Sequence, residues 1–168
     1  MDDKGKPFSS FKVILSDGET VTAKLVGEDK TTDVAVLRIN KSGLLPVKLA
    51  TGKAKVGEWI ALVSNIGSTL NYFPASVVGT NGSISTELTG LTAVKPAKSL
   101  PLEPGSFMPE AFDEQGDLVG LMLDTTQGAK QGSTYTVGSF LLVPADKVAA
   151  AAAKLAGSIP STTQYSTT

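Results

Sequence analysis

Short runs of aliphatic and β-branched residues, separated by turn residues at close spacing, constrain the fold of this chain more than any other feature. The runs are 11–15, 20–26, 34–39, 58–63, 73–78, 83–92, 118–123 and 135–143. Within 20–26, apolar and polar side chains alternate, which is the period of a half-buried strand. Asp17-Gly18 lies between two of the runs and is a strong signal for a β-hairpin. Many short strands in one chain predict an all-β barrel or sandwich.

One helix is predicted, over residues 145–156 near the end of the chain. Asp146 places negative charge near its positive N-terminal end, and Lys154 lies near the other end. Gly157 follows directly and is suited to a left-handed C-cap. The segment after it, 158–168, is rich in Ser and Thr, which predicts a disordered tail.

The chain contains no cysteine and no histidine. Without cysteine there are no disulfides, thiolate metal sites or cysteine nucleophiles. Without histidine, the commonest general base near neutral pH and the commonest zinc ligand are both missing. The sequence also has no glycine-rich phosphate loop and no carboxylate cluster at calcium-loop spacing. We therefore expect no cofactor and no metal.

Charge and hydropathy limit the partners that the chain can have. Lys plus Arg is 15 and Asp plus Glu is 16, so the net charge of −1 gives no general attraction to nucleic acid. No stretch approaches the roughly 18 apolar residues of a membrane span, and the polar start is not a signal peptide. We expect no nucleic-acid partner and no direct membrane insertion. A protein or peptide partner, and the oligomeric state, stay open.

Taken in order, several segments resemble the HtrA/Deg-type, trypsin-like serine proteases, from Val13 to about Leu155. The resembling segments are 15–18, 23–27, 32–39, 55–60 and 142–148. The first three are similar to the second half of that family's N-terminal barrel. The fourth is similar to the entry of its C-terminal barrel, and the last to its closing strand and helix.

The resemblance implies an all-β, chymotrypsin/trypsin-like (S1) double β-barrel with an incomplete N-terminal barrel and a C-terminal α-helix. It also implies a division of the chain. Residues 1–52 would form the partial N-terminal barrel, and 53–157 the C-terminal barrel with its closing helix. Residues 158–168 would be the disordered tail.

Family members use a triad in which Ser attacks the scissile carbonyl, His takes its proton and Asp orients the His. By the resemblance, Asp33 falls on the triad aspartate, within a Thr-Asp-Val-Ala-Val-Leu run. The plainer interpretation is a turn residue at the entry to a strand. With no histidine partner in the chain, we expect Asp33 to behave as that turn residue. The family's histidine would lie upstream of Met1, so its absence depends partly on where the sequence begins.

The family's nucleophile loop has the pattern Asn-Pro-Gly-Asn-Ser-Gly-Gly-Pro. The matching run is 103–110, Glu-Pro-Gly-Ser-Phe-Met-Pro-Glu. Gly105 on one side and Gly116 on the other fix this register without a gap. In that register Phe107 occupies the position of the nucleophilic serine.

Residues beside Phe107 also depart from the family pattern. Gly105, Met108 and Pro109 are the equivalents of the loop that forms the oxyanion hole, and Met108 and Pro109 replace its two glycines. A benzyl group cannot act as a nucleophile. Pro109 has no N–H and restricts the residue before it, so we expect the loop to follow a different path. Phe107 or Met108 could fill the substrate cleft; plain core packing is the favoured interpretation over a ligand pocket.

A shift of the register by one residue would place Ser106 at the nucleophile position instead. Without histidine it would need another base, and Lys95 and Lys98 are the nearby candidates in sequence. Nothing in their spacing identifies such a pair. Lys98-Ser99 also stands where the family carries a Thr-Asp pair.

These observations lead to one preferred hypothesis and two alternatives. The preferred hypothesis is a catalytically inactive, trypsin-like pseudoprotease domain that serves binding or structure. Its compartment would be extracytoplasmic, in the cell envelope, with a possible upstream anchor. The first alternative is a fragment of a serine endopeptidase whose histidine lies upstream of Met1. The second is a scaffold that pairs with another chain through open sheet edges.

Overall fold

The structure is a computed structural model that describes residues 8, 10–66, 69–98, 100, 108–123 and 140–157. The chain forms two compact units. The first consists of the described parts of Met1–Leu45 and Ala149–Thr168, and the second is Pro46–Val148. The domain bounds 1–52 and 53–157 stay a prediction. The predicted disordered tail, 158–168, lies outside the described residues.

Nine strands and one helix make up the described part of the chain. They are β1 (Ser10–Ile14), β2 (Thr20–Asp29), β3 (Val34–Ile39), β4 (Trp59–Ile66), β5 (Thr69–Ser83), β6 (Thr89–Pro96), β7 (Glu110–Phe112), β8 (Leu118–Met122), β9 (Phe140–Pro144) and α1 (Ala145–Ala156). This content confirms the all-β prediction with a C-terminal helix. The strand expected over 83–92 starts later, at Thr89, and continues to Pro96.

The first unit contains an antiparallel sheet in the order β1-β2-β3. The Asp17-Gly18 hairpin is confirmed, because Gly18 has a φ of 84° and its N–H donates to the Leu15 carbonyl at 2.9 Å. The Asp17 carboxylate accepts a hydrogen bond from the Glu19 N–H at 2.9 Å, as a turn aspartate does. The sequence therefore specifies this turn locally.

The second unit is a closed barrel with the strand order β4-β5-β6-β9-β8-β7. Alternate residues of β8 are buried, which is the two-residue period of a strand with one face in a core. The main core cluster consists of Ile60, Leu62, Ala75, Val77, Val94, Ala111, Met122 and Leu142. Every strand of the barrel contributes at least one of these side chains.

All neighbouring strands of the barrel are antiparallel, so its connections fall at two opposite ends. One end carries the β6–β7 connection, residues 97–109, and we call it the loop end. The opposite end carries the β5–β6 and β7–β8 connections and the passage from β9 into α1, and we call it the helix end. Glu110, the last residue of the run that resembles the nucleophile loop, begins β7 at the loop end.

The helix α1 has 12 residues, as predicted, with Asp146 in its first turn and Lys154 in its last. The left-handed cap predicted at Gly157 is wrong, because Gly157 is not among the described residues with positive φ. Its N–H donates to the Ala153 carbonyl at 2.8 Å, so the backbone simply continues the helical bonding pattern by one residue. Among the described residues, no helix is long and apolar enough to span a membrane.

Candidate functional site

The loop end of the barrel is closed by apolar side chains on both sides of residues 101–107. The Ala97 N–H donates to the Pro74 carbonyl at 2.8 Å and so continues the sheet past β6. Beyond it, Leu100 packs against the main core cluster, and Met108 packs against the same cluster. Gly105, Ser106 and Phe107 lie outside the described residues, and the roles assigned to them stay predictions.

Pro109 is built into the wall of the barrel. Its side chain is among the most deeply buried in the described chain, with less than 2% of the residue exposed. Its carbonyl accepts a hydrogen bond from the Met122 N–H at 3.1 Å. A buried proline contributes no N–H of its own, so this position offers a reacting group no backbone donor. Met108 and Pro109 together behave as packing residues.

Glu110 follows them as the first residue of β7, directly opposite Val63 on β4 and Leu121 on β8. Part of the residue is exposed, but partial burial of its carboxyl group raises the pKa of Glu110, opposed by a hydrogen bond from its own backbone N–H. Residues that face each other across antiparallel strands share one side of the sheet. Glu110 therefore stands on an apolar patch of the outer barrel surface.

Lys95 and Lys98, the predicted alternative bases, are both exposed. Lys95 lies on β6 opposite Ser76, and Lys98 lies just beyond the end of that strand. A lysine that activates a serine has to lose part of its hydration first. Neither lysine is in such surroundings, and Ser106 lies outside the described residues, so the lysine–serine pair gains no support.

Asp33, in the first unit, is exposed and lies at the turn between β2 and β3 with a φ of 55°. Asp tolerates this left-handed conformation better than most residues do. The turn itself is organised by Asp29, whose carboxylate accepts hydrogen bonds from the Thr31 N–H at 2.9 Å and the Thr32 N–H at 3.3 Å. The local geometry of Asp33 is that of a turn residue. The role of the Asp29 carboxylate in organising this turn was not predicted from the sequence.

The neighbour of Asp33 has an unusual hydroxyl group. The Thr32 Oγ1 atom is buried and has no hydrogen-bond partner in the described part of the chain. Burial of a hydroxyl without a partner lowers stability, because the group loses its hydrogen bonds to water. The turn that carries Asp33 is therefore not optimised for stability at this position.

Two cavities lie at the helix end of the barrel, and neither was predicted from the sequence. One has a volume of about 290 Å³ and adjoins the start of α1. The other, of about 590 Å³, is more open and is bordered by the β7–β8 connection. There, a hydrogen bond to Asp117 raises the pKa of Lys48. Their linings come from segments that are far apart in the sequence, which is why no local motif announces them.

A metal site would need a cluster of ligand side chains among the described residues. No group of three or more His, Cys, Asp or Glu side chains in them is placed to hold a metal ion. The carboxylates of Asp113 and Asp117 in the β7–β8 connection have other roles. Asp113 accepts hydrogen bonds from the Gln115 N–H at 3.0 Å and the Asp117 N–H at 2.8 Å.

The sequence has relatives among curated bacterial proteins, although no protein-family model matches it. A probable periplasmic serine endoprotease, DegP-like, from Pseudomonas putida is 32% identical over 128 residues, which are 74% of this chain and 26% of the relative. A protein of the same description from Brucella suis biovar 1 is 28% identical over 142 residues, covering 77% and 26%. The chain spans about a quarter of the length of these curated relatives.

Solved structures show the same relationship at the level of the fold. The inactive form of the Rv3671c protease superposes with a TM-score of 0.65 at 18% identity, over 88% of this chain and 72% of that one. A serine-to-alanine mutant of Rv3671c from Mycobacterium tuberculosis H37Rv, also in an inactive form, gives 0.64 at 20% identity, over 89% and 72%. The protein therefore has the fold of a trypsin-like serine protease.

Sequence and fold together identify the lineage of the chain. Over about three quarters of its length it is homologous to the HtrA-type, trypsin-like serine proteases. This confirms the resemblance and the fold class predicted from the sequence.

Proposed function

We propose that this chain is a catalytically inactive, trypsin-like domain that acts as a binding or structural module. The observation that carries the proposal is the packing of Met108 and Pro109 into the barrel, where the family has the two glycines that follow its nucleophile. By the sequence register, Phe107 directly before them takes the place of the serine.

Two independent chemical requirements of the serine protease reaction are unmet in this register. The side chain of Phe107 has no atom that can attack a carbonyl. The family's glycines also permit a backbone path that other residues adopt poorly, and that path places the N–H donors of the oxyanion hole. Pro109 is held by burial and by the hydrogen bond to Met122, and it restricts the backbone of Met108 to extended conformations. Restoring one requirement alone would leave the other unmet.

The histidine and aspartate positions of the triad also depart from the family pattern. The chain has no histidine, and Asp33 is exposed at a turn. In active enzymes the aspartate is buried and hydrogen-bonded to the histidine. The departure at the nucleophile and at the glycine loop, together with an exposed Asp33, favours a role in binding or structure over hydrolysis.

The compartment proposed for this chain is extracytoplasmic. Its support is that the curated relatives are described as periplasmic. The relatives are about four times as long as the matched region, so their protease activity is not transferred here.

Hydrolysis of a fluorescently labelled casein tests this proposal. We expect the chain, Ser106→Ala and Phe107→Ser all to give the same background rate, because Phe107→Ser restores a hydroxyl without a base or a glycine loop. Rv3671c protease or a DegP-like relative at equal concentration provides the positive control. Hydrolysis by the native chain that Ser106→Ala abolishes would overturn the proposal in favour of a serine endopeptidase fragment.

A scaffold role is the second candidate, and the sheet of the first unit favours it. Its order is β1-β2-β3, so β1 and β3 each have one paired neighbour among the described residues. Unpaired strand edges invite pairing with another chain. Light scattering combined with hydrogen exchange tests this candidate. A monomer whose β1 and β3 amides exchange slowly on their own would rule it out.

A further inference from the structure

Three basic residues share one face of the sheet in the first unit. Lys24 on β2 is paired directly with Ser10 on β1 and with Arg38 on β3. Lys12 lies two residues after Ser10, so it is on the same side of the sheet as Lys24 and Arg38. All three basic residues are exposed. We call this side of the sheet, defined by Lys12, Lys24 and Arg38, the basic face.

The direct pairing of Lys24 with Arg38 is unfavourable. Side chains that stand opposite each other on antiparallel strands have Cβ atoms within about 5.5 Å, and like charges at that position lower stability. Neither residue belongs to an ion pair in the part of the chain that the structure describes. An acidic side chain beside Arg38 would remove this repulsion, and no described residue supplies one.

The opposite side of the sheet is apolar and only partly covered. It carries the cross-strand set Phe11, Ala23 and Ile39, and next to it Leu25 stands opposite Leu37. Ala23 is fully buried, whereas Leu37 is 39% exposed. Phe11, Leu25 and Ile39 are half-buried. Apolar side chains of a further strand would therefore find apolar surface beside Leu37 and Ile39, the two neighbours of Arg38 along β3.

The strand β3 forms an edge of this sheet, because its only paired neighbour among the described residues is β2. Edge strands present N–H and C=O groups to which an extended segment can add as a further strand. Main-chain hydrogen bonds then provide affinity, and alternate side chains provide specificity. On an added strand, the residue opposite Arg38 lies on the basic face and its two neighbours lie on the apolar side. The β3 edge therefore fits one acidic residue between two apolar ones.

Charge also decides between the two edges and between two occupants. In the same row of the sheet, the edge residue of β1 is the uncharged Ser10, whereas that of β3 is Arg38. A second copy paired through β3 would bring no anion to Arg38, because Val34–Ile39 contains no acidic residue. In an antiparallel pair it would also place a second basic face beside the first. Charge complementarity therefore favours an acidic partner at β3.

We propose that the β3 edge binds an extended segment of another protein in which an acidic residue stands between apolar residues, with the acidic side chain beside Arg38. The apolar side chains of that segment pack beside Leu37 and Ile39. This inference rests on the scaffold role, the second candidate function, and names the chemistry of its partner. It does not depend on whether the loop end of the barrel is catalytic.

Amide chemical shifts of the isotopically labelled chain give the direct test. The probes are acetyl-Thr-Val-Glu-Val-Thr-amide, whose pattern is the same in both strand directions, and the same peptide with Lys in place of Glu. We expect the Glu peptide to shift the amides of Val36, Leu37 and Arg38 with a dissociation constant on the order of 1 mM. The Lys peptide, which brings a like charge to Arg38, should bind about tenfold more weakly.

Reversal of the charge at the edge separates the proposed contact from general effects of charge. Arg38→Glu should invert the preference, so that the Lys peptide binds about fivefold more tightly than the Glu peptide. Lys30→Glu, which makes the same charge change at the exposed turn between β2 and β3, should change either affinity less than about twofold. Arg38→Glu places opposite charges across from each other at Lys24, so it should melt at the same or a higher temperature than the native chain.

Hydrogen exchange and light scattering separate failure of this inference from failure of the scaffold role. Equal binding of the two peptides at β3, binding of the Glu peptide at β1 instead, or no binding at rapidly exchanging β3 amides would overturn the inference alone. A dimer with protected β3 amides would overturn it in favour of a second copy. Slow exchange of the β1 and β3 amides in a monomer would remove both the inference and the scaffold role. Should Arg38→Glu prove unstable, an unchanged peptide preference of Arg38→Gln would overturn the inference, and loss of that preference would support it.

Discussion

The two ends of the barrel differ in how their interiors are completed. At the loop end, Leu100 and Met108 pack against the main core cluster, and Pro109 is fully buried. At the helix end, the buried residue Thr92 on β6 borders a cavity of about 290 Å³, and a second cavity of about 590 Å³ lies at the same end. The family's chemistry belongs to the first end. In this chain, the two described cavities are found at the second.

The comparison shows that the two ends of one barrel can differ in packing while the fold stays the same. Packing at the loop end stabilises the barrel without placing any reactive group, because apolar side chains need no hydrogen-bond partners. A cavity at the helix end leaves the side chains that border it with fewer packing contacts. The predictions below test this contrast, starting with the largest effect.

Gly120→Ala tests whether the paired strands β8 and β9, which run between the two ends of the barrel, are tightly packed. A Cβ at this position on β8 would lie 2.5 Å from the Val143 carbonyl oxygen, which is backbone and cannot move aside without breaking the β8–β9 pairing. We expect a loss of about 3 kcal/mol in the free energy of unfolding. Urea denaturation followed by circular dichroism measures it.

Gly79→Ala, on β5 of the same barrel, is the matched control. Its added Cβ would lie at an ordinary contact distance of 3.4 Å from the Ala93 Cβ. Its stability should change by less than about 1 kcal/mol. If Gly120→Ala were as stable as Gly79→Ala, β8 and β9 would not be packed as closely as described. The comparison of the two barrel ends would then no longer hold.

Met108→Ala tests whether packing closes the loop end. The half-buried Met108 side chain contacts the core cluster, so its removal should cost about 2 kcal/mol of unfolding free energy and produce no peptide hydrolysis. Val56→Ala, at a residue that is 64% exposed, should stay within about 0.5 kcal/mol of the native chain. A neutral Met108→Ala would mean that the loop end is not closed by this residue.

Thr92→Val tests whether the hydroxyl of the buried residue Thr92 at the helix end has a hydrogen-bond partner. Valine has nearly the same shape without the polar group, so the free energy of unfolding should rise by about 1 kcal/mol when the hydroxyl has no hydrogen-bond partner. Thr89→Val, at an exposed position of the same strand, should change it little. Thermal melting of both variants checks this. Destabilisation by Thr92→Val would show that the hydroxyl is already satisfied.

Glu110→Gln gives the smallest effect and tests the outer surface of the loop end. Burial raises the pKa of Glu110 above its ordinary 4.5, so the charged form is disfavoured in the folded state. Stability should therefore fall as pH rises from about 4.5 through the raised pKa, and stay lower above it. The substitution removes this loss, by about 0.5 kcal/mol at pH 7 given the partial exposure.

Chemical denaturation at several pH values measures the Glu110→Gln effect. Glu114→Gln, at an exposed position in the β7–β8 connection, is the control for the substitution itself and should change the free energy of unfolding at pH 7 by less than about 0.5 kcal/mol. An identical pH dependence for native and Glu110→Gln chains would show that the carboxyl group is fully hydrated.

Features determined by near neighbours in sequence were predictable. The alternation in 20–26, the Asp17-Gly18 hairpin and the helix over 145–156 all appear in the structure as expected. Features determined by distant pairing were not. The strand β7 has only three residues and owes its conformation to β4 and β8, so nothing in its own sequence indicates it. The cap at Gly157 failed because glycine permits a left-handed conformation without requiring it.

The candidate sites divide in the same way. The turn position of Asp33 follows from local sequence, and the departures at residues 107–109 follow from the family register. The helix-end cavity could not be predicted, because Lys53, Thr92 and Lys147 meet only when the barrel closes. Leu91 and Thr92 are neighbours on β6 and both are buried, so alternation along the strand does not indicate which of them borders a cavity.

The central claim is that the loop end contains no activated serine. Incubation of the intact chain with a fluorophosphonate probe, followed by peptide mapping, tests it most directly, because such probes react with activated serines whatever the substrate preference. The account predicts no adduct on Ser106 or on any other serine under conditions in which an active trypsin-like protease is fully labelled. An adduct on Ser106 that disappears when the chain is denatured beforehand would contradict it.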